Sequence, residues 1–145
     1  MPLSDPVPRT PSPWTNRRVA LNGDRLRLLV VDDNCNAALA MAAYLSAEAV
    51  EARAVFGGLE AIDMVRAWTP HVILMDITMP HCDGYQVTHA LRQDPCTGQV
   101  LIIAHTALDE AEVRRHQVMG DEFDGYAQKG WPPTQLLALV RILAA

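Results

Sequence analysis

Five side chains that can do chemistry stand at the ends of candidate strands. Asp32 and Asp33 follow LRLLVV (26–31), and Asp76 follows VILM (72–75). Thr106 closes the run that begins at Val100, and Lys129 ends the run from Phe123. Three carboxylates in one crevice repel one another and cannot all stay ionised cheaply without a cation. A hard divalent ion solves this, and Mg2+ suits a site with a few carboxylates and several retained waters. With a hydroxyl and an ammonium beside it, such a site receives a phosphoryl group. Lys129 and the metal neutralise equatorial oxygens, Thr106 donates a hydrogen bond, and Asp76 is the nucleophile that forms an acyl phosphate. Each residue alone has a plainer explanation: Asp32-Asp33 as a helix cap, Thr106 in a loop, Lys129 at a solvated end. The recurrence of all five at run ends favours the chemical reading.

For these groups to converge, the runs must be neighbouring parallel strands. The sequence supplies strands at 26–31, 51–55, 72–75, 100–104 and 123–128, the second being weak by itself. Helical patterns lie between and after them at 37–47, 59–68, 85–92, 109–119 and 132–144. Asp33 or Asn34 is placed to cap the first helix, and proline stands in the first turn of the last. Uninterrupted apolar runs such as VILM fit strands covered on both faces. Five alternations of strand and helix predict an α/β fold with a parallel sheet, because parallel strands need crossovers. The expected architecture is a flavodoxin-like, doubly wound sheet of order 2-1-3-4-5, with ligands at the carboxyl ends of the strands.

The 145 residues are half apolar and a fifth charged, which fits one domain with a real core. Net charge is −5, unevenly placed: residues 1–27 carry +3 and residues 28–145 carry −8. A folded part this acidic argues against non-specific nucleic-acid binding. Five prolines fall within the first thirteen positions, and Arg17-Arg18 follow. Residues 1–25 are therefore expected to be a basic, extended or disordered arm, with the folded domain at 26–145. Cys35, Cys82 and Cys96 form no metal or disulfide pattern and are expected to be free thiols in a reducing compartment. There is no signal-peptide core, and no apolar run approaches the ~20 residues of a membrane span. A soluble, cytoplasmic protein without membrane partners is expected.

From Leu26 to Ala144 the chain resembles the receiver domain of two-component response regulators. The resemblance rests on VVDDN (30–34), MDITMPHCDGY (75–85), AHTA (104–107) and YAQK (126–129), in that order. It implies that Asp76 accepts a phosphoryl group from a phosphohistidine of a histidine kinase or histidine phosphotransfer protein. It further implies that Asp33 ligates Mg2+ directly, that Asp32 acts through metal-bound water, and that the Thr78 backbone carbonyl completes the protein ligands. Lys129 would contact the phosphate. Thr106 would move toward it and Tyr126 would swing inward, coupling the site to the fourth helix, fifth strand and fifth helix. Thr78 and Leu108 would flank the path of the hydrolytic water. The protein would be a stand-alone regulator or phosphorelay shuttle rather than a metabolic enzyme, with no output domain after Ala145.

Three positions depart from the family pattern. Gly130 follows Lys129 where receivers usually have proline, and a trans peptide is expected there. Glu122 stands where glycine is usual before the fifth strand. His105 replaces an aliphatic residue and is expected to be a packed, hydrogen-bonded core histidine, with a pH switch as the lesser alternative. Two other functions compete. One is a receiver-like adaptor that works without phosphorylation, which Gly130 alone favours. The other is an aspartyl phosphohydrolase of the haloacid dehalogenase type, against which Thr78 stands where a second aspartate is wanted.

Overall fold

The computed structural model describes residues 11–145. The aliphatic runs form strands β1 (Arg27–Val31), β2 (Glu51–Val55), β3 (Val72–Met75), β4 (Leu101–Thr106) and β5 (Gly125–Gln128). Between and after them come helices α1 (Cys35–Ala47), α2 (Gly58–Trp68), α3 (Gly84–Gln93), α4 (Glu110–His116) and α5 (Pro133–Leu143). All pairings are parallel, in the expected order β2-β1-β3-β4-β5.

Alternate strand residues face opposite sides of a parallel sheet, so both sides need cover. Leu28, Val30, Leu74 and Ile103 pack with Ala38, Ala42 and Leu45 of α1 and with Leu136 and Val140 of α5. Leu29, Val31, Ile73, Met75 and Ile102 pack with Ala61 and Val65 of α2, Val87 and Leu91 of α3, and Val113 of α4. Among the described residues no helix is long and apolar enough to cross a membrane.

Register places the chemistry. Val31 pairs with Met75, Met75 with Ala104, and Ala104 with Tyr126. One step further along, Asp32 and Asp76 leave adjacent strands on the same edge. Asn34 caps α1 by accepting from the Ala37 amide at 3.0 Å, which turns the chain sharply after the acid pair. Asp83 and Gln86 form a capping box on α3. Gly84 lets that helix start directly beneath the Asp76 loop. A Cβ there would collide with the Asp76 carbonyl and lie 2.8 Å from Ile77 Cα.

Two expectations need correction. The fourth helix ends at His116 rather than Met119. Beyond it the buried Glu122 carboxylate accepts from the amides of Val118, Met119 and Gly120, holding them in a loop. Glu122 thus organises the turn where the family usually has glycine. The second correction concerns the arm. Residues 1–10 lie outside the described residues, but within 11–25, expected to be extended or disordered, Trp14, Val19 and Leu21 make backbone hydrogen bonds to the domain. Trp14 N donates to Asp124 O at 2.8 Å, and Val19 forms a parallel bridge with Ala144. Proline content favours extension, and an extended segment with an aromatic and a guanidinium has found specific partners on the domain.

Candidate functional site at the carboxyl edge of the sheet

Asp32, Asp33 and Asp76 each offer a carboxylate oxygen within 4.8 Å of the others. Asp32 and Asp76 are buried, and Asp33 is exposed toward solvent. Lys129 extends from the end of β5 across the sheet edge. Its Nζ lies 3.0 Å from Asp32 Oδ2 and 3.3 Å from Asp76 Oδ1.

The electrostatics follow from this crowding. Burial pushes the Asp76 carboxyl up to about 7, opposed by the Lys129 charge and reinforced by the Asp32 charge. Burial works against the charged form of Lys129, but the hydrogen bond to Asp32 and the charge of Asp76 outweigh it, and its pKa is raised. One ammonium therefore does not neutralise the cluster. Three oxygen donors from carboxylates, one of them facing solvent, suit a hard divalent cation that keeps several waters.

Thr106 is 1% exposed, and its Oγ1 accepts from the Leu108 amide at 3.2 Å. Its carbonyl accepts from the Lys129 amide at 2.8 Å, tying the ends of β4 and β5 together. Tyr126 is buried, and its hydroxyl donates to the Leu108 carbonyl at 2.5 Å. Burial, then Glu110 and Asp109, push the Tyr126 hydroxyl up to about 12. The structure thus joins Asp32, Asp33, Asp76 and Lys129 as one group, and Thr106, Leu108 and Tyr126 as a second that meets it at the Thr106–Lys129 link. The Leu108 side chain packs, half-buried, against the α2–α4 apolar cluster. Thr78 is exposed in the loop after Asp76.

Gly130 has φ +99, a left-handed conformation that suits glycine, and no cis peptide occurs among the described residues. Lys129 reaches both carboxylates with that backbone. His105 is half-buried, but its ring has no hydrogen-bond partner among the described residues, which corrects the expected hydrogen-bonded core histidine. Burial, then the Lys129 charge, lower its pKa to about 4, which keeps the ring neutral. Cys35, Cys82 and Cys96 are free.

Sequence reasoning missed a second polar centre at the opposite end of β5. Asp124 is 0% exposed. It accepts from Thr15 Oγ1 and Arg17 at 2.5 Å, from the Ile102 amide at 2.8 Å and from Arg92 at 2.9 Å. Arg92 also donates to the carbonyls of Glu122, Gly98 and Val100. Spacing gives no sign of this group, whose members come from four separate stretches of chain.

A doubly wound parallel sheet with clustered aspartates and a lysine at its carboxyl edge is the arrangement of a signalling receiver. The chain belongs to the response regulator receiver domain family, whose model matches residues 28–141. It is 33% identical over 119 residues to the DNA-binding response regulator MtrA of Mycobacterium tuberculosis, covering 81% of this chain and 50% of that one. The chain thus spans about half the length of this relative. Among solved structures, the receiver domain of a Bermanella marisrubri response regulator matches with a TM-score of 0.72 and 28% identity, covering 81% of this chain and 96% of that one. A response regulator from Chloroflexus aurantiacus matches with a TM-score of 0.75 and 25% identity, covering 83% and 98%.

Proposed function

We propose that this receiver accepts a phosphoryl group from a phosphohistidine onto Asp76 and signals through partner binding. The observation that carries the reading is a buried Asp76 carboxylate flanked by Asp32 and by the Lys129 ammonium. An Asp76 oxygen attacks phosphorus in line, the P–N bond to the donor imidazole breaks, and that nitrogen takes up a proton. The product is an aspartyl acyl phosphate. Lys129 pairs with a phosphoryl oxygen, and Thr106 turns its hydroxyl from the Leu108 amide toward the new group. Asp33, Asp76 and the Thr78 carbonyl would hold a Mg2+ ion, with Asp32 acting through water, and the ion would supply charge neutralisation.

The donor is a histidine kinase or a histidine phosphotransfer protein, met in the cytoplasm. MtrA is by its name a DNA-binding regulator; for this chain, whose domain is acidic, the output proposed is contact with another protein. Lys129 reaches the carboxylates with Gly130 behind it, which supports the phosphoacceptor reading over the adaptor. The test is incorporation of label from a small acyl phosphate such as acetyl phosphate. Uptake that requires Mg2+ and is stopped by a chelator is expected. Absence of uptake with Mg2+ present contradicts the proposal.

A further inference from the structure

The segment after the first ten residues is fastened to one face of the domain at both ends. Trp14 lies parallel to Tyr126, with ring centroids 6.0 Å apart and planes 7° from parallel. The Arg114 guanidinium sits 4.0 Å from the Trp14 ring centroid, and Trp14 Nε1 donates to Glu110 Oε1 at 3.1 Å. Three residues on, Arg17 enters the Asp124 centre. Val19 and Leu21 then bond to the end of the chain: Val19 N to Leu143 O at 3.0 Å and Leu21 N to Ala145 O at 3.1 Å. The segment therefore touches α4, Asp124 and the Tyr126 ring at the start of β5, and the end of α5. Because β5 is an edge strand, its uncovered side would offer unpaired backbone groups to other chains.

The segment packs against the core through Trp14, Val19 and Leu21, yet two features leave its Trp14–Arg17 part open to competition. The Trp14 cradle is built from side chains at the surface of α4, and the Glu110 and Arg114 side chains are about half exposed. Asp124 keeps Arg92 and the Ile102 amide whether or not Arg17 is there. The attractive groups are specific: an aromatic slot between Tyr126 and Arg114, an acceptor at Glu110 for an indole N–H, and a buried carboxylate for a guanidinium.

We propose that residues 14–21 are an intramolecular strap occupying a peptide-binding cradle on the α4–β5–α5 face, in competition with a partner peptide of the same chemistry. The partner presents an aromatic side chain, best an indole, with an arginine three residues later, as Trp14 and Arg17 are presented here. While the strap is down, Tyr126 is capped by Trp14 on one side and meets the Trp131 ring edge-on at 5.6 Å. Displacement of the strap uncovers Tyr126. A binding event on this face thereby reaches the group formed by Thr106, Leu108 and Tyr126.

The test uses the full chain and a labelled synthetic peptide spanning residues 11–22, followed by fluorescence anisotropy without any phosphoryl donor. A tethered strap has a millimolar effective concentration, so the wild-type chain excludes the free peptide. The full chain with Trp14→Ala and Arg17→Ala is expected to bind the peptide at least about tenfold tighter than wild type. A peptide carrying Trp14→Ala is expected to lose that binding. Trp14→Ala alone, which retains the Arg17–Asp124 pair, serves as the second protein variant and is expected to show the same order. Equal binding to wild type and variants, or binding to none of them, overturns the proposal. Because no phosphorylation is involved, this outcome is independent of whether Asp76 is a phosphoacceptor.

Discussion

The Lys129 ammonium lies 3.3 Å from the Asp76 carboxylate, although the two residues are 53 positions apart and leave different strands. Parallel pairing of β3 to β4 and of β4 to β5 brings them together. On the proposed reading, Lys129 is the group that a phosphoryl oxygen on Asp76 would pair with. Asp76 is thus buried beside a cation before any donor arrives, which would lower the reorganisation needed for the proposed reaction.

The raised pKa of Asp76 has a consequence for stability. The folded state binds its proton more tightly than the unfolded state, from 3.8 up to about 7. Stability from this group is greatest at low pH and falls as pH rises through that window. Asp76→Asn removes the buried charge, so without metal it is expected to stabilise the domain at pH 8 by on the order of 1–3 kcal/mol. The gain is expected to shrink toward pH 4 and to shrink at pH 8 when Mg2+ is added. Urea unfolding at several pH values, with and without Mg2+, measures this; a gain that does not change with pH contradicts it.

Metal affinity separates the acid pair. Asp33 faces solvent while Asp32 already accepts from Lys129 and from the Asn34 amide at 2.9 Å. Asp33→Ala is therefore expected to weaken Mg2+ binding by about tenfold or more, and Asp32→Ala by less. Titration calorimetry gives both constants. Equal losses would remove the assignment of direct and water-mediated roles.

How much of this was legible in the sequence depends on the range of the forces involved. Strand order and the converging aspartates were readable because each aliphatic run carries its own period and its own terminal residue. Helix ends were less so. The stop of α4 at His116 is set by Glu122, a side chain that reaches back to three amides from beyond the helix. The docked strap was illegible for a related reason. Its anchors, Tyr126, Arg114 and Asp124, are over ninety residues away, and composition reports only that a proline-rich basic stretch has few local reasons to fold.

Asp124 carries a clear energetic expectation. It is fully buried and accepts from two guanidinium groups, a hydroxyl and an amide. Removing it leaves Arg92 buried with its charge uncompensated, and burial already lowers that pKa to about 10. Asp124→Ala is expected to cost about 3–5 kcal/mol. Arg17→Ala is expected to cost far less, since Arg92 remains. Chemical denaturation of both variants decides; similar small losses would show that the buried pair is not holding β5 in place.

If Asp76 is phosphorylated as proposed, Leu108 is expected to link the lifetime of the phosphoryl group to the Thr106–Tyr126 group. Its amide donates to Thr106 Oγ1 and its carbonyl accepts from Tyr126, so its backbone is held at the border of the site. An apolar side chain there offers no group to orient a hydrolytic water. After removal of the donor, Leu108→Glu is expected to lose label severalfold faster than wild type, and Leu108→Ala moderately faster. Wild-type decay in both variants excludes a role for Leu108 in water access.

Reduction of the phosphorylated protein with borohydride converts an aspartyl acyl phosphate into homoserine and leaves free carboxylates untouched. After incubation with acetyl phosphate and Mg2+, peptide mass spectrometry is expected to find homoserine at position 76 and nowhere else, and none in Asp76→Asn. Homoserine at Asp32 or Asp33 in the wild-type chain, or undiminished label in Asp76→Asn, would contradict the assignment of Asp76 as the phosphoacceptor.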